Sequence, residues 1–479
     1  MLFNSYIFVF IFLPTVYFIF RLSSRFNSNV SLGILIMSSL IFYSYWNIYN
    51  IFIILSSLLL NYIIGTSIIK SSYNYIRKIV YALGILFNLG IIFYYKYFDF
   101  FINDVLSFHI GGFDTASIIL PLAISFFTFQ QITFLSDCYR KQVNSVPILN
   151  YLLYITFFPQ LIAGPIVRFN DMSSQYSCKT FSIYNHRSVS CGIFIFAVGL
   201  FKKVVIADNL SLLVNSGYQS YNLLTFIESW IISITYSLQL YYDFSGYCDM
   251  AIGLALLFNV KLPINFNSPY QAKNIQDFWR RWHITLGSFL KDFVYIPLGG
   301  SRGTFFHTSR NLLLCFLICG IWHGAGFTFI AWGIMHGIGL VVHRLWSLTG
   351  FNIPKVASII ITFLFVNLSW VLFRSENLNQ AFIILRSMFD ITEITLPIKL
   401  IKFFEISFFK YQEFASTIDN DYFILVVPLL FVFTLLSKNS NYYVSNFSPN
   451  RKNLFFVLLL FITSILSIGR VNEFIYYNF

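Results

Sequence analysis

The chain has 479 residues, of which 57% are hydrophobic and only 10% charged, with a mean hydropathy of +0.71. A water-soluble core does not need that much apolar surface, so the composition excludes an ordinary soluble domain and points to a polytopic α-helical membrane protein. The net charge of +12 does not carry a nucleic-acid reading, because Lys and Arg cluster between apolar stretches, as cytoplasmic loops do.

Met1–Phe20 is apolar, with no basic stretch before it and no small-residue cleavage site. It reads as a retained first helix rather than a signal peptide. Arg21 and Arg25 follow, which puts the N-terminus outside. Spans are expected near 30–46 and 51–69, returning to the cytoplasm at Lys70, Arg77 and Lys78, and near 79–96 and 116–136, leading to Arg140 and Lys141, again inside. Tyr151–Phe169 carries Pro159, Gly164 and Pro165 and reads as re-entrant. A helix broken at membrane depth is tolerated only where protein or a cavity surrounds it. Further spans are expected near 189–206, 226–241, 246–259, 311–322, 327–346, 355–373, 421–437 and 453–469. The expected fold is all-α: a polytopic integral membrane protein with about 10–13 transmembrane or re-entrant helices. No internal repeat is visible, and one domain over residues 1–479 is the simplest organisation. Arg451, Lys452 and Arg470 flank the last span and place the tail, 471–479, outside. The six cysteines are scattered, with no disulfide framework.

The polar run 265–310 interrupts this pattern. It opens Asn265-Phe266-Asn267-Ser268-Pro269-Tyr270, passes through Asn274 and reaches Asp277-Phe278-Trp279-Arg280-Arg281-Trp282-His283. Phe278, Trp282, Phe289 and Phe293 recur at helical spacing, which predicts an amphipathic cytoplasmic or interfacial helix. Its basic residues suit two readings: an interfacial anchor, or a vestibule for a phosphate-bearing donor such as coenzyme A. The glycines of Pro297–Gly303 would let backbone N–H groups approach a phosphate. Asp277 is spaced to pair with Arg280 or Arg281 on one helix face.

Trp322-His323-Gly324-Ala325-Gly326 sets a histidine between two apolar stretches. An ionisable group at bilayer depth is a functional-site candidate by default, against the alternative of a satisfied core histidine. A neutral imidazole is what a general base needs. Gly324 and Gly326 leave room for a substrate or another backbone. His336, in Trp332-Gly333-Ile334-Met335-His336-Gly337, either orients a substrate or packs against a neighbouring helix. Cys315, Cys319 and His323 step by four, but structural zinc sites use tighter cysteine pairs and a second element, so no metal is expected.

Four or five motifs in the same order resemble the membrane-bound O-acyltransferases, in the AlgI-like bacterial branch that modifies polysaccharides. They are Phe158–Ile166, Asp243–Gly253, Asn265–Tyr270, Asp277–His283 and Trp322-His323-Gly324. The resemblance implies a central tunnel joining the two membrane faces and a catalytic core within 265–345. It makes His323 the family's essential histidine and puts His283 at a second, more variable polar position. Asn274, Asp277, Arg280, Arg281, Trp322 and His336 are then expected to bind donor or substrate. Acetyl-CoA or an acyl carrier would supply the acetyl group, with no permanently bound cofactor. The expected partners are an extracytoplasmic glycan O-acetyltransferase or other polysaccharide-modification protein and membrane lipids, in the bacterial cytoplasmic membrane. The last residues, Phe474-Ile475-Tyr476-Tyr477-Asn478-Phe479, resemble the Phe-x-Tyr-x-x-Phe tail of this branch. Tyr476 is therefore a proposed acyl relay, against the alternative of an interfacial aromatic belt. Two rivals stand beside this reading: D-alanyl transfer to teichoic acid, and a transporter or flippase. The latter would usually show internal pseudo-repeats.

Overall fold

The structure is a computed structural model that describes residues 1–106, 120–178, 181, 183–392 and 422–469. Those residues form helices and turns, with no strand among them. The principal helices are α1 (Phe8–Ser23), α2 (Ser28–Ser44), α3 (Tyr49–Lys70), α4 (Asn74–Val105), α5 (Ile124–Tyr139), α6 (Ile148–Thr156), α7 (His186–Gln219), α8 (Phe226–Leu257), α9 (Ile275–Arg281), α10 (Ile284–Leu290), α11 (Phe305–His323), α12 (Phe327–Thr349), α13 (Lys355–Arg374), α14 (Tyr422–Leu436) and α15 (Arg451–Ser467). Six of them, α3, α4, α7, α11, α12 and α13, are long and apolar enough to cross a membrane, while α1, α2 and most of α14 are shorter apolar helices.

Polar side chains start many of these helices by accepting orphan N–H groups. Asn27, Asn185, Thr304 and Asn450 cap α2, α7, α11 and α15. Thr225 and Glu228 form a capping box at α8.

The two spans expected at 226–241 and 246–259 are one 32-residue helix, α8. Gly246 does not break it. A Cβ on Gly199 would sit 2.5 Å from the Gly246 carbonyl, and one on Gly253 2.6 Å from the Gly192 carbonyl. These glycines let α7 and α8 cross with backbones in contact, as small residues do between membrane helices. The same crossing carries buried ion pairs at 2.7 Å: Lys203 with Asp208 and Asp243, and Lys202 with Asp249. Charges at such depth are tolerated because they are paired.

The break expected within Tyr151–Phe169 is present. α6 ends at Thr156, a single turn spans Phe158–Leu161, and an irregular buried stretch leads to Arg168.

Candidate active site

The polar run does not form one amphipathic helix. α9 ends at Arg281, Trp282 is extended, and His283 adopts the left-handed conformation, φ 44° and ψ 55°, before α10 begins. Both residues are fully buried. A left-handed non-glycine residue costs roughly 1–2 kcal/mol, so the surroundings must impose it. Asn265 does so. Its backbone carbonyl accepts the Ile284 N–H at 3.0 Å, and its side-chain Oδ1 accepts from Thr285 N at 3.1 Å and Thr285 Oγ1 at 3.0 Å. Thr285 Oγ1 in turn accepts from the Ile166 N–H at 3.0 Å, tying the elbow to the irregular stretch after Phe158–Leu161.

The same Asn265 oxygen lies 3.2 Å from His283 Nδ1. Asn265 Nδ2 donates to Cys248 Sγ at 3.6 Å, which turns the amide oxygen toward the histidine. That oxygen can only accept, so His283 carries its proton on Nδ1 and presents a bare lone pair at Nε2. Nε2 is buried and has no hydrogen-bond partner among the described residues. Burial pushes the His283 pKa down to about 3, so the imidazole is neutral.

Three of the residues expected to bind donor are bound to one another. Asn274 caps α9 through the Asp277 N–H at 2.8 Å; the Asp277 carboxylate accepts from Lys273 N at 3.1 Å and from Arg281 Nε at 2.8 Å. Arg281 exchanges hydrogen bonds with the Asn267 backbone at 2.9 and 3.3 Å. Arg280 is exposed.

His323 ends α11, and its ring centroid lies 4.6 Å from that of Trp322. His283 approaches the same indole at 6.3 Å, so both histidine rings lie against Trp322. Trp322 also stacks on Phe129 at 5.1 Å, and its Nε1 is buried without a partner among the described residues. The end of α11 is held by α4: Lys96 Nζ donates to the Trp322 and His323 carbonyls at 2.6 and 3.2 Å, and the Tyr97 hydroxyl to the Ile321 carbonyl at 2.7 Å. These are orphan carbonyls at the negative end of the helix dipole, where a cation is favoured.

On its other side His323 meets Trp332 at 5.1 Å, and Trp332 meets His336 at 4.7 Å. Trp279 Nε1 donates to His336 Nδ1 at 3.3 Å, leaving Nε2–H to donate to Ser369 Oγ at 2.9 Å. Both His336 nitrogens are engaged within the protein, linking α9, α12 and α13. Gly324 faces the Phe329 ring and Gly326 has only loose contacts; the close backbone approach is at Gly320 and Gly333.

A cavity of about 550 Å³ opens beside the elbow, lined among others by Arg168, Asp171, Lys261, Ile284, Thr285 and Ser288. A second, of about 840 Å³, holds Arg281 in its lining. Arg280 lines neither, and Tyr476 lies outside the described residues. Sequence reasoning missed the roles of Asn265, Lys96 and Arg168. Lys96 had a signal, a lone ammonium at the end of an apolar span; Asn265 only opened a run flagged for other reasons.

Three relatives and one family match bear on this arrangement. The chain is 45% identical to the peptidoglycan O-acetyltransferase of Helicobacter pylori, over 83% of this chain and 81% of that protein. It is 36% identical to the probable alginate O-acetylase AlgI of Pseudomonas aeruginosa, over 81% of this chain and 75% of that protein. Similarity to the teichoic acid D-alanyltransferase of Bacillus subtilis is more distant, 26% identity over 53% of this chain and 69% of that protein. The model of the MBOAT, membrane-bound O-acyltransferase family matches residues 38–379, well over half of the chain and the whole of the site. The cluster of His283, Trp322 and His323 rings therefore lies in an enzyme of the membrane, and the chain belongs to the membrane-bound O-acyltransferase family.

Proposed function

We propose that this acyltransferase takes an acetyl group from a cytoplasmic thioester, acetyl-CoA or an acetylated carrier, and passes it across the bacterial cytoplasmic membrane for O-acetylation of a cell-envelope polysaccharide. The observation that carries the reading is the pair of buried histidines that both lie against Trp322. The named activities of the two more similar relatives, on peptidoglycan and alginate, support the acetyl group and the glycan class.

The donor enters through the cavity lined by Arg168 and Thr285, where the Arg168 guanidinium suits a phosphate-bearing thioester. The bare Nε2 of His283 accepts a hydrogen bond from an N–H of the donor's amide-bearing arm. His323 takes the proton of the attacking hydroxyl as its oxygen bonds to the thioester carbonyl carbon. The C–S bond then breaks, and the thiolate leaves with the proton returned by His323. The unpartnered Trp322 Nε1–H is available to the oxyanion between these steps. Tyr476 is the first acceptor in this scheme. A phenol of pKa near 10 leaves more easily than a sugar hydroxyl, so an acetylated tyrosine stays activated for an extracytoplasmic glycan O-acetyltransferase.

The test is intact-mass analysis of the purified protein after incubation with acetyl-CoA. The wild type should gain one acetyl group on Tyr476, and His323→Ala and Tyr476→Phe should not. Turnover of donor with a partner present, and no adduct in any form, would mean direct transfer and reduce the tail to an anchor.

A further inference from the structure

The larger cavity, about 840 Å³, is not needed for the chemistry above. It lies between α7, the C-terminal end of α8, the 261–268 segment and the stretch after α14. One wall is apolar: Ile195 from the spanning helix α7, Ile252 and Leu256 from α8, and Leu436 from the end of α14. The rim is polar and cationic, with Arg281, Lys438 and Lys261, which also lines the smaller cavity, and no carboxylate in the lining. Arg281 is matched by Asp277 at 2.8 Å, but no carboxylate among the described residues pairs with Lys261 or Lys438. Lys438 instead rests over the Tyr442 ring, its Nζ 3.8 Å from the centroid. The mouth is open: Lys261, Ile264, Leu436 and Lys438 are all exposed.

An apolar wall drawn from the spanning helix α7 and from α8 and α14, with two unmatched ammonium groups in the same lining, is complementary to an amphiphile with an anionic head. We infer that this cavity holds one anionic glycerophospholipid, its phosphate between Lys261 and Lys438 and an acyl chain along Ile195, Ile252 and Leu256. Basic pockets between membrane helices take such headgroups, each cation adding to the attraction. A nucleotide-bearing thioester shares the phosphate but has no long acyl chain in its acetyl form, and the neighbouring cavity is the one that reaches Thr285 and thereby the His283 elbow.

The site also has a route to the chemistry, which rests on the proposed function. Asn267 and Arg281 line the cavity and hydrogen-bond to each other, and Asn267 is two residues from Asn265, which orients His283. Lipid occupancy therefore braces the segment that holds the histidine.

The deciding experiment measures binding and does not depend on the reaction. Native mass spectrometry of the detergent-solubilised protein would be titrated with phosphatidylglycerol, phosphatidylcholine and coenzyme A. One phosphatidylglycerol should bind in preference to phosphatidylcholine and survive saturating coenzyme A. Lys438→Gln should weaken it about fivefold and Lys261→Gln/Lys438→Gln roughly 25-fold. Arg168→Gln, in the other cavity, should leave lipid affinity unchanged. Equal binding of the two lipids, or undiminished binding by the double variant, overturns the proposal. Displacement of the lipid by coenzyme A overturns it too, and assigns the cavity to the donor. Ser445→Trp fills the cavity at its rim without touching a charge and should exclude the lipid, so an unfolded lysine variant does not leave the question open.

Discussion

At the scale of residues, Asn265 sets what His283 can do. Its side-chain oxygen accepts from His283 Nδ1 while it also fixes Thr285, so one atom chooses both the tautomer and the ring's direction. Partners that orient a metal-bound histidine are worth about 10- to 100-fold when removed, and an effect of the same order is expected for this one. Asn265→Ala should therefore slow acetyl transfer by about that factor, while Asn265→Asp, which keeps an acceptor, should retain more activity. Single-turnover acetylation followed by mass would show it; an Asn265→Ala enzyme as fast as wild type would mean that the His283 tautomer is irrelevant. Lys96 is the second such residue. Its ammonium joins α4 to the end of α11 across 227 positions of sequence, at the Trp322 and His323 carbonyls. Lys96→Met leaves these carbonyls buried and unmatched, at about 1–3 kcal/mol. The thermal midpoint of the detergent-solubilised protein should fall, with Lys96→Arg falling less. His323 was legible because an ionisable residue between apolar stretches is conspicuous alone, and His283 and Trp322 because each sits in a recognisable motif. The roles of Asn265 and Lys96 were not, because each exists only through a partner that the fold brings near.

At the scale of elements, the fold followed the sequence where a cap or a charge marks a helix end, and departed from it where glycines lie inside a helix. Behind their caps Asn185 and Asn450, α7 and α15 begin at His186 and Arg451, close to the expected 189 and 453, whereas α11 begins behind Thr304 at Phe305, well before the expected 311. Gly246 reads equally well as a break or as a contact, and only the opposing Gly199 shows it to be a contact. The elbow at His283 was hidden for a different reason: Phe278, Trp282, Phe289 and Phe293 keep helical spacing on either side of it, and periodicity is blind to one left-handed residue. The α11–α12 pair extends the glycine argument to the site. A Cβ on Gly333 would collide with the Phe316 carbonyl and lie 3.1 Å from Gly320 Cα, and one on Gly320 would collide with the Phe329 carbonyl. Backbone cannot yield as a flexible side chain can, so Gly333→Val must part the helices that carry His323 and His336. A destabilisation of about 1–3 kcal/mol, the usual cost of overpacking, is expected in chemical denaturation. Acetyl transfer should fall with it; a stable and fully active Gly333→Val protein would mean that the separation of α11 and α12 does not govern the histidine row.

At the scale of the whole molecule, the proposed function requires the donor cavity to face the cytoplasm, and the chain carries its own reporter of that. Five cysteines, Cys138, Cys191, Cys248, Cys315 and Cys319, are buried, whereas Cys178 is exposed. It follows the short helix Phe169–Tyr176, which is fastened to the donor-cavity side: Asn170 Nδ2 donates to the Gln142 carbonyl at 2.8 Å, Gln175 Nε2 to the Lys261 carbonyl at 3.1 Å, and Gln175 Oε1 accepts from Lys261 N at 2.8 Å. Asp171 and Met172 of the same helix line the donor cavity with Lys261. Arg140, which the distribution of basic residues assigns to the cytoplasm, reaches the Asp292 carbonyl at 3.2 Å, and Asp292 is paired with Arg168 at the cavity mouth. Cys178, Arg140 and the cavity are therefore expected on one membrane face. A membrane-impermeant maleimide should leave Cys178 unmodified in intact spheroplasts and label it after permeabilisation, with Cys178→Ser as the blank. Labelling of intact spheroplasts would turn the molecule over. The cavity would then open away from the cytoplasmic pool of thioester, and neither the donor route nor transfer outward through the tail could stand.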